Sequence, residues 1–306
     1  MVEVIRVGTR RSPLALAQTE RVIELLKRAS PDTQFEVVKI VAAGDEDVRW
    51  KHDAMTGKDM FTRAIEERLL RAEIDLAVHS LKDMPARLHP ELVIAAIPLR
   101  GDPRDALVSA NGAGLKQLPQ GARVGTSSLR RRAQLLAYRP DLTIVELHGN
   151  VGTRLRKLRE EELDAIILAA AGLERLGLSG EITEILPTDV MLPAAGQGAL
   201  AVEARRDDSY VIRIAGAIDD VSTRRAVEAE RYFTATMGGG CNMPVAAYAR
   251  IGDGMLILDG MVASPDGSRL MRDSAVGDSE NPRAVAQQLV QRLTAKGALE
   301  IVGGGA

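Results

Sequence analysis

One cysteine, Cys241, stands in 306 residues. A lone cysteine forms no intrachain disulfide, and the paired spacings of structural zinc sites cannot be built from it. That usage fits a reducing compartment. Aromatic residues make up 3% of the chain, too few for the stacking platforms that hold single-stranded nucleic acid, so Ala, Val, Ile and Leu must fill the interior. Neither sign of charge prevails: Lys+Arg 40 against Asp+Glu 42 leaves −2, and no whole-molecule field gathers nucleic acid or anionic membranes. Long apolar runs are missing too. Ala165 to Leu173 lies between Asp164 and Glu174 and falls far short of the ~20 residues needed to cross a bilayer. Glu3, Arg6, Arg10 and Arg11 interrupt the amino-terminal segment before the apolar stretch of a secretory signal could form. The expectation is a soluble, cytoplasmic protein without nucleic-acid or membrane partners.

What is present is an ordinary globular composition, 45% hydrophobic and 27% charged, long enough for two domains and a smaller third. A β-rich run from Val2 to Val7 ends at Gly8. Ser12 and Pro13 then open a helix. Phe35 to Val41 reads as a strand, Met60 to Arg71 as a helix with Phe61, Ala64, Ile65 and Leu69 on one face, and Ile74 to His79 as a buried strand. Gly101-Asp102-Pro103-Arg104 marks a crossing, after which Arg123 to Gly125 and Ser127 to Tyr138 repeat strand and helix. Asp75 to Ser80 and Asp164 to Ala169 form a further matching pair, which points to duplicated lobes. Gly196-Gln197-Gly198 mimics a dinucleotide fingerprint but enters a strand, so it reads as a hinge. Ala199 to Ala204 then returns to the first sheet. Ser222 caps another helix. From Val245 the pattern turns antiparallel, with strands at Val245–Ile251, Met255–Ala263 and Arg269–Val276, a helix from Asn281 to Lys296, and a frayed end from Gly303.

Chemistry concentrates at the strand-to-helix turns. Arg10, Arg11 and Ser12 sit at a helix start, where unpaired N–H groups and the helix dipole already favour an anion. Thr126, Ser127, Ser128, Arg130 and Arg131 repeat that arrangement, and His148 to Arg154 gives a third version. Several anionic groups on one ligand fit this better than a single phosphate. His79-Ser80-Leu81-Lys82-Asp83-Met84-Pro85 follows a buried strand, where open α/β sheets bind ligands; an acid there could manage protons on a cationic intermediate. His79 itself reads as a core histidine. Cys241 follows Gly238, Gly239 and Gly240, a loop that lets something bulky approach the backbone. His52, His79, His89 and His148 show no metal-binding pattern, so no metal is expected.

Seven segments in order carry a wider likeness: Gly8 to Leu16, Val78 to Pro85, Asp102 to Ala106, Val124 to Arg131, Gly149 to Arg154, Leu192 to Gly198 and Gly239 to Cys241. Together they resemble the porphobilinogen deaminase (hydroxymethylbilane synthase) family over nearly the whole chain. The resemblance implies an α/β fold of two lobes like type II periplasmic binding proteins around a cleft, with a smaller α+β carboxyl-terminal domain. The expected domains are 1–99 with 199–217, 104–193, and 220–306. It implies a dipyrromethane cofactor joined to Cys241 by a thioether, which primes stepwise addition of porphobilinogen with loss of ammonia by a monomeric enzyme. Asp83 matches the family's catalytic aspartate, which helps ammonia leave and stabilises the positively charged azafulvene. Ser80, Lys82, Thr126, Ser128, Arg130 and Arg131 match cofactor-binding positions. Arg10, Ser12, Gln18, Phe61, His148, Arg154 and Arg175 match substrate-binding ones, most of them suited to the acetate and propionate groups on each pyrrole.

Two departures stand out. His148 occupies a position usually Arg, and imidazole, with a reference pKa of about 6.5, is largely neutral at pH 7. In the lid segment His52 to Met60, Ala54 replaces a frequent Lys, and Thr56-Gly57-Lys58-Asp59 replaces a Gly-Gly-Lys-Gly type run. The competing reading is a non-catalytic anion-binding protein with the same two lobes. Cys241 in its glycine loop argues against it, because a pure binder has no use for that thiol.

Overall fold

The computed structural model describes residues 4–40, 57–238 and 243–303. In chain order the elements are β1 (Val4–Arg10), α1 (Pro13–Ala29), β2 (Gln34–Ile40), α2 (Gly57–Leu70), β3 (Leu76–Ser80), β4 (Leu92–Ala96), β5 (Asp105–Ser109), β6 (Arg123–Gly125), α3 (Leu129–Tyr138), β7 (Thr143–Val145) and α4 (Val151–Glu160). There follow β8 (Ala165–Ala169), α5 (Ala170–Arg175), β9 (Glu184–Ile185), β10 (Leu200–Arg205), α6 (Ser209–Gly216), α7 (Val221–Thr236), β11 (Val245–Gly252), β12 (Met255–Ala263), β13 (Leu270–Asp278), α8 (Pro282–Ala295) and α9 (Ala298–Gly303). They group into two compact units, Met1–Gly101 with Ala199–Arg224, and Asp102–Gly198 with Arg225–Ala306.

The first unit holds a five-stranded sheet in the order β2-β1-β3-β10-β4, the second another in the order β7-β6-β8-β5-β9. The two are built alike. In each, a first strand pairs in parallel with two neighbours, and a strand arriving from the chain's crossing runs antiparallel beside the third. Even the anchoring acids match: Arg6 N donates to Asp75 Oδ2 at 2.9 Å, and Arg123 N to Asp164 Oδ2 at 2.7 Å. The returning strand read at Ala199 to Ala204 is β10, lodged between β3 and β4.

Gly8 does not end the first strand, which runs on to Arg10. Its lack of a side chain serves close packing instead, since a Cβ there would collide with Ile74 Cδ1. A Cβ on the equivalent Gly125 would lie 3.0 Å from side-chain atoms of Ile166, Leu147 and Leu163. Burial follows the apolar pattern: Ile5, Val7, Val22, Leu26, Leu76, Val78 and Val202 pack together in the first unit, and Leu107, Val124, Leu135, Ala165 and Ile167 in the second.

Several boundaries move. The second helix starts at Gly57, so Gly57 to Met60, read as part of a lid, is helical; His52 to Thr56 lie outside the described residues. The helix expected from Ser222 begins at Val221, and its cap is Asp220, whose Oδ1 accepts from Thr223 N at 2.7 Å. Of the end expected to fray, Gly303 closes helix α9, and residues 304–306 lie outside the described residues. Strands β4 and β5 were not anticipated, because five residues without alternation carry too little periodicity. The second unit also contains the antiparallel sheet β11-β12-β13, whose first turn uses positive φ at Asp253 and Gly254. Phe233, Leu256, Leu258, Leu289 and Leu293 form its core with α7 and α8. No helix among the described residues is long and apolar enough to cross a membrane.

Candidate active site

In the first unit the carboxyl ends of β1 and β3 collect Arg10, Ser12, Gln18, Ser80, Lys82 and Asp83. Arg10 closes β1 and is half-buried. Two residues on, Ser12 caps α1, its Oγ accepting from Ala15 N at 3.3 Å. Gln18 is carried inward by α1 and is 5% exposed, so its amide needs a partner; Nε2 donates to Ser80 Oγ at 2.8 Å. Ser80 ends β3 and leads into a single 3-10 turn, Leu81–Asp83.

The turn is pinned at both ends. Leu81 N donates to Ala199 O and Met84 N to Leu81 O, each at 3.1 Å. Leu81 and Met84 are buried, while Lys82 and Asp83 between them are half-buried. Pro85 forces Met84 into extended backbone and stops the turn there. Apolar anchors on either side thus hold an ammonium and a carboxylate at a sheet end, the place where open α/β sheets take ligands. His79, one residue before Ser80, is buried against Glu203, with Nε2 to Oε2 at 3.1 Å. It is the core histidine expected, but Glu203 as its partner carried no local signal. Phe61 falls within α2 by its backbone. Cys241 lies outside the described residues.

The second unit repeats the motif. Thr126 is buried and its Oγ1 accepts from Ser128 N at 3.2 Å; Ser128 Oγ in turn caps α3, accepting from Arg131 N at 3.4 Å. Asn150 caps α4 by accepting from Thr153 N at 2.9 Å, which places Arg154, half-buried, in the first turn. Arg175 closes α5 and Nη2 donates to Gly198 O at 2.5 Å.

Arg130 and Arg131 are placed differently from simple anion forks. Both are buried around Asp105, which is fully buried: Arg130 Nη1 donates to Oδ2 at 2.8 Å, and Arg131 Nη2 and Nε donate to Oδ1 at 2.6 and 3.0 Å. Gln197 Nε2 adds a bond to Oδ1 at 3.0 Å, and Arg130 and Arg131 also reach the carbonyls of Leu192 and Ile167. Burial alone would raise the Asp105 pKa, but the charges of Arg130 and Arg131, with the bonds from Arg130 and Gln197, hold it far below the usual carboxylate range. Two guanidinium charges against one carboxylate leave one positive charge in excess, at the amino terminus of α3. Such a surplus beside a helix start suits a carboxylated ligand. Asp105, which the sequence reading quoted only within Asp102 to Ala106, was given no role there; the structure shows it as the acid that pairs both arginines.

His148 is exposed, its ring Nε2 3.5 Å from Glu146 Oε2. An arginine there would carry a full charge towards the α4 start. The expected result for His148→Arg is a KM for a carboxylated substrate lower by about 3-fold, the size of one exposed charge-assisted hydrogen bond. Unchanged or poorer steady-state constants would count against it.

Comparison with known proteins gives a consistent picture. A family model described as "Porphobilinogen deaminase, dipyromethane cofactor binding domain" matches residues 5–213, and one described as "Porphobilinogen deaminase, C-terminal domain" matches residues 224–295. Porphobilinogen deaminase of Brevibacillus brevis is 51% identical over 298 residues, covering 97% of this chain and 96% of that protein. That of Roseiflexus sp. is 48% identical over 304 residues, covering 99% and 100%. Among solved structures, the methionine-binding protein MetQ covers 70% of this chain and 88% of its own with a TM-score of 0.44 at 14% identity.

Proposed function

This chain belongs to the porphobilinogen deaminase family, and we propose that it joins porphobilinogen units head to tail into the linear tetrapyrrole hydroxymethylbilane, with release of ammonia. The observation that carries this reading is the pair of family-model matches, which span the chain from residue 5 to 295 with one short gap. The pinned Ser80–Asp83 turn supports it, because it holds one carboxylate where a cationic substrate carbon can be met.

Each addition breaks the bond from the substrate's aminomethyl carbon to nitrogen, forms a carbon–carbon bond to the next pyrrole and releases that pyrrole's ring proton. Asp83 stabilises the cation left when ammonia departs and accepts hydrogen bonds from pyrrole N–H groups, electrostatic help of the kind that is often the largest catalytic contribution. Lys82 and Arg10 in the first unit, and Arg154 and Arg175 in the second, are assigned to acetate and propionate groups, and Ser12, Gln18, His148 and Phe61 are the further substrate-binding positions that the family likeness implies.

The dipyrromethane cofactor, attached through Cys241, supplies the pyrrole carbon on which the chain is extended. The donors of each unit, taken by itself, fit such a group's carboxylates: in the second unit Thr126 and Ser128 at a capped helix start with the excess positive charge around Arg130 and Arg131, and in the first unit Ser80 and Lys82 at a sheet end. We assign residues 1–99 with 199–217, 104–193 and 220–306 as its three domains, and a monomer acting in the cytoplasm without nucleic-acid or membrane partners.

The test is the intact mass of the purified protein beside that of Cys241→Ser. An excess of two linked pyrroles, absent from the serine variant, is the expected result. An unmodified native chain that also failed to load when given porphobilinogen would overturn the reading and leave a binding protein.

A further inference from the structure

Behind the Asp83 turn lies a group of ionisable side chains that the reaction as described does not use. Glu203 on β10 is completely buried; one oxygen, Oε2, meets His79 Nε2 at 3.1 Å, and the other, Oε1, is buried without a hydrogen-bond partner. Glu66 on α2 likewise has its Oε1 buried without a partner. A carboxylate oxygen shut away from water and donors is costly to keep ionised. Among the described residues no group of three or more His, Cys, Asp or Glu could hold a metal ion, so a bound cation does not account for the pair.

We infer that Glu66 keeps a proton beside the buried Glu203, and that this relief of like charge, acting through the Glu203–His79 hydrogen bond, positions the Ser80–Asp83 turn. A proton on Glu66 spares its buried Oε1 a charge that no donor meets and removes one of two like charges. The groups acting on Glu66 agree: burial and then the charge of Glu203 from β10 raise its pKa, against His79 from β3, His89 from the loop after Pro85, and Arg63 from α2 itself. The net direction is upward, so Glu66 keeps its proton beyond the usual range.

The route to the turn is short. In the strand register Glu203 faces Ala77, Ala201 faces His79 and Leu200 faces Ser80, and Ala199 O receives Leu81 N. The Glu203–His79 bond therefore crosses from β10 to β3 one residue before Ser80. Losing that proton places a second negative charge behind that strand end and displaces the carboxylate of Asp83. Glu66, Glu203 and His79 are thus positioning residues, an assignment that rests on Asp83 carrying the chemistry.

Glu66→Gln mimics the proton-bearing form. A folded pKa raised above the unfolded value near 4.5 gives a contribution fully present below pH 4.5 and lost as pH rises through the folded value. The melting temperature of Glu66→Gln is therefore expected to match wild type at pH 4.5 and to exceed it by about 3 °C at pH 8.5. Its kcat stays within about two-fold of wild type at pH 7, while the alkaline limb of its pH profile moves upward. Glu203→Gln, which removes the charged acceptor for His79, lowers kcat about ten-fold with little change in KM. A Glu66→Gln melting difference that is flat with pH, with superimposable kcat profiles, overturns the inference. If the wild type failed to convert porphobilinogen, the proposed function would fall, whereas the melting comparison would still decide whether Glu66 holds the proton.

Discussion

Asp83→Ala is expected to lower porphobilinogen turnover by about 10²–10³-fold, the usual cost of removing one preorganised group aimed at developing charge. The backbone gives little reason for a larger disturbance. Leu81 and Met84 carry the burial on either side, and the bonds from Leu81 N and Met84 N use main-chain acceptors, so the turn survives loss of the side chain. The defect therefore falls on kcat more than on KM. Asp83→Asn separates charge from shape: an amide can still accept one pyrrole N–H but cannot neutralise a cation, so its turnover lies close to that of the alanine variant. The mass of either variant still shows the pyrrole adduct. Near-normal ammonia release from both would end the catalytic assignment of Asp83.

The second large effect is on stability. Asp105→Ala leaves Arg130 and Arg131 buried with no carboxylate between them, and breaking a buried ion pair by deleting one partner costs about 3–5 kcal/mol. For a unit of this size that is a fall of about 6–20 °C in melting temperature. The pH dependence gives a sharper check. Because the folded-state pKa of Asp105 is depressed, its contribution is complete above the ordinary carboxylate value near 3.8 and is lost as pH falls below it. The gap between wild type and Asp105→Asn is expected to hold steady from pH 7 to pH 5 and to close in acid. A gap independent of pH down to unfolding would show that Asp105 acts through shape alone.

Why Asp105, quoted only inside the segment Asp102 to Ala106, was given no role while the helix starts at Ser12, Ser128 and Asn150 were read is a matter of range. A helix cap is written within three residues, and each of those side chains accepts from a backbone N–H three positions on. The same holds for the buried strands Leu76–Ser80 and Ala165–Ala169, whose apolar runs are continuous. Asp105 meets Arg130 and Arg131 across 25 and 26 residues and Gln197 across 92, while His79 meets Glu203 across 124. No periodicity reports such encounters; they follow from which strand lands beside which. The arginine turns could accordingly be read as cationic helix starts, but not that one carboxylate would gather two of them inward. His148 was legible as a departure, and its exposed place beside Glu146 gives that departure a setting.

The insertion of β10 between β3 and β4 has a consequence for the nascent polypeptide on the ribosome. Strand β4 ends at Ala96 and β10 begins at Leu200, so about 100 residues are synthesised in between. At about 5–20 residues per second the first sheet waits some 5–20 s with a gap at its middle and the backbone groups of β3 unpaired on that side. An open strand edge of that kind is a template for wrong partners. Destabilising substitutions on β3 or β4 are thus expected to reduce the yield of folded chain during translation more than their equilibrium effect on the finished protein would suggest.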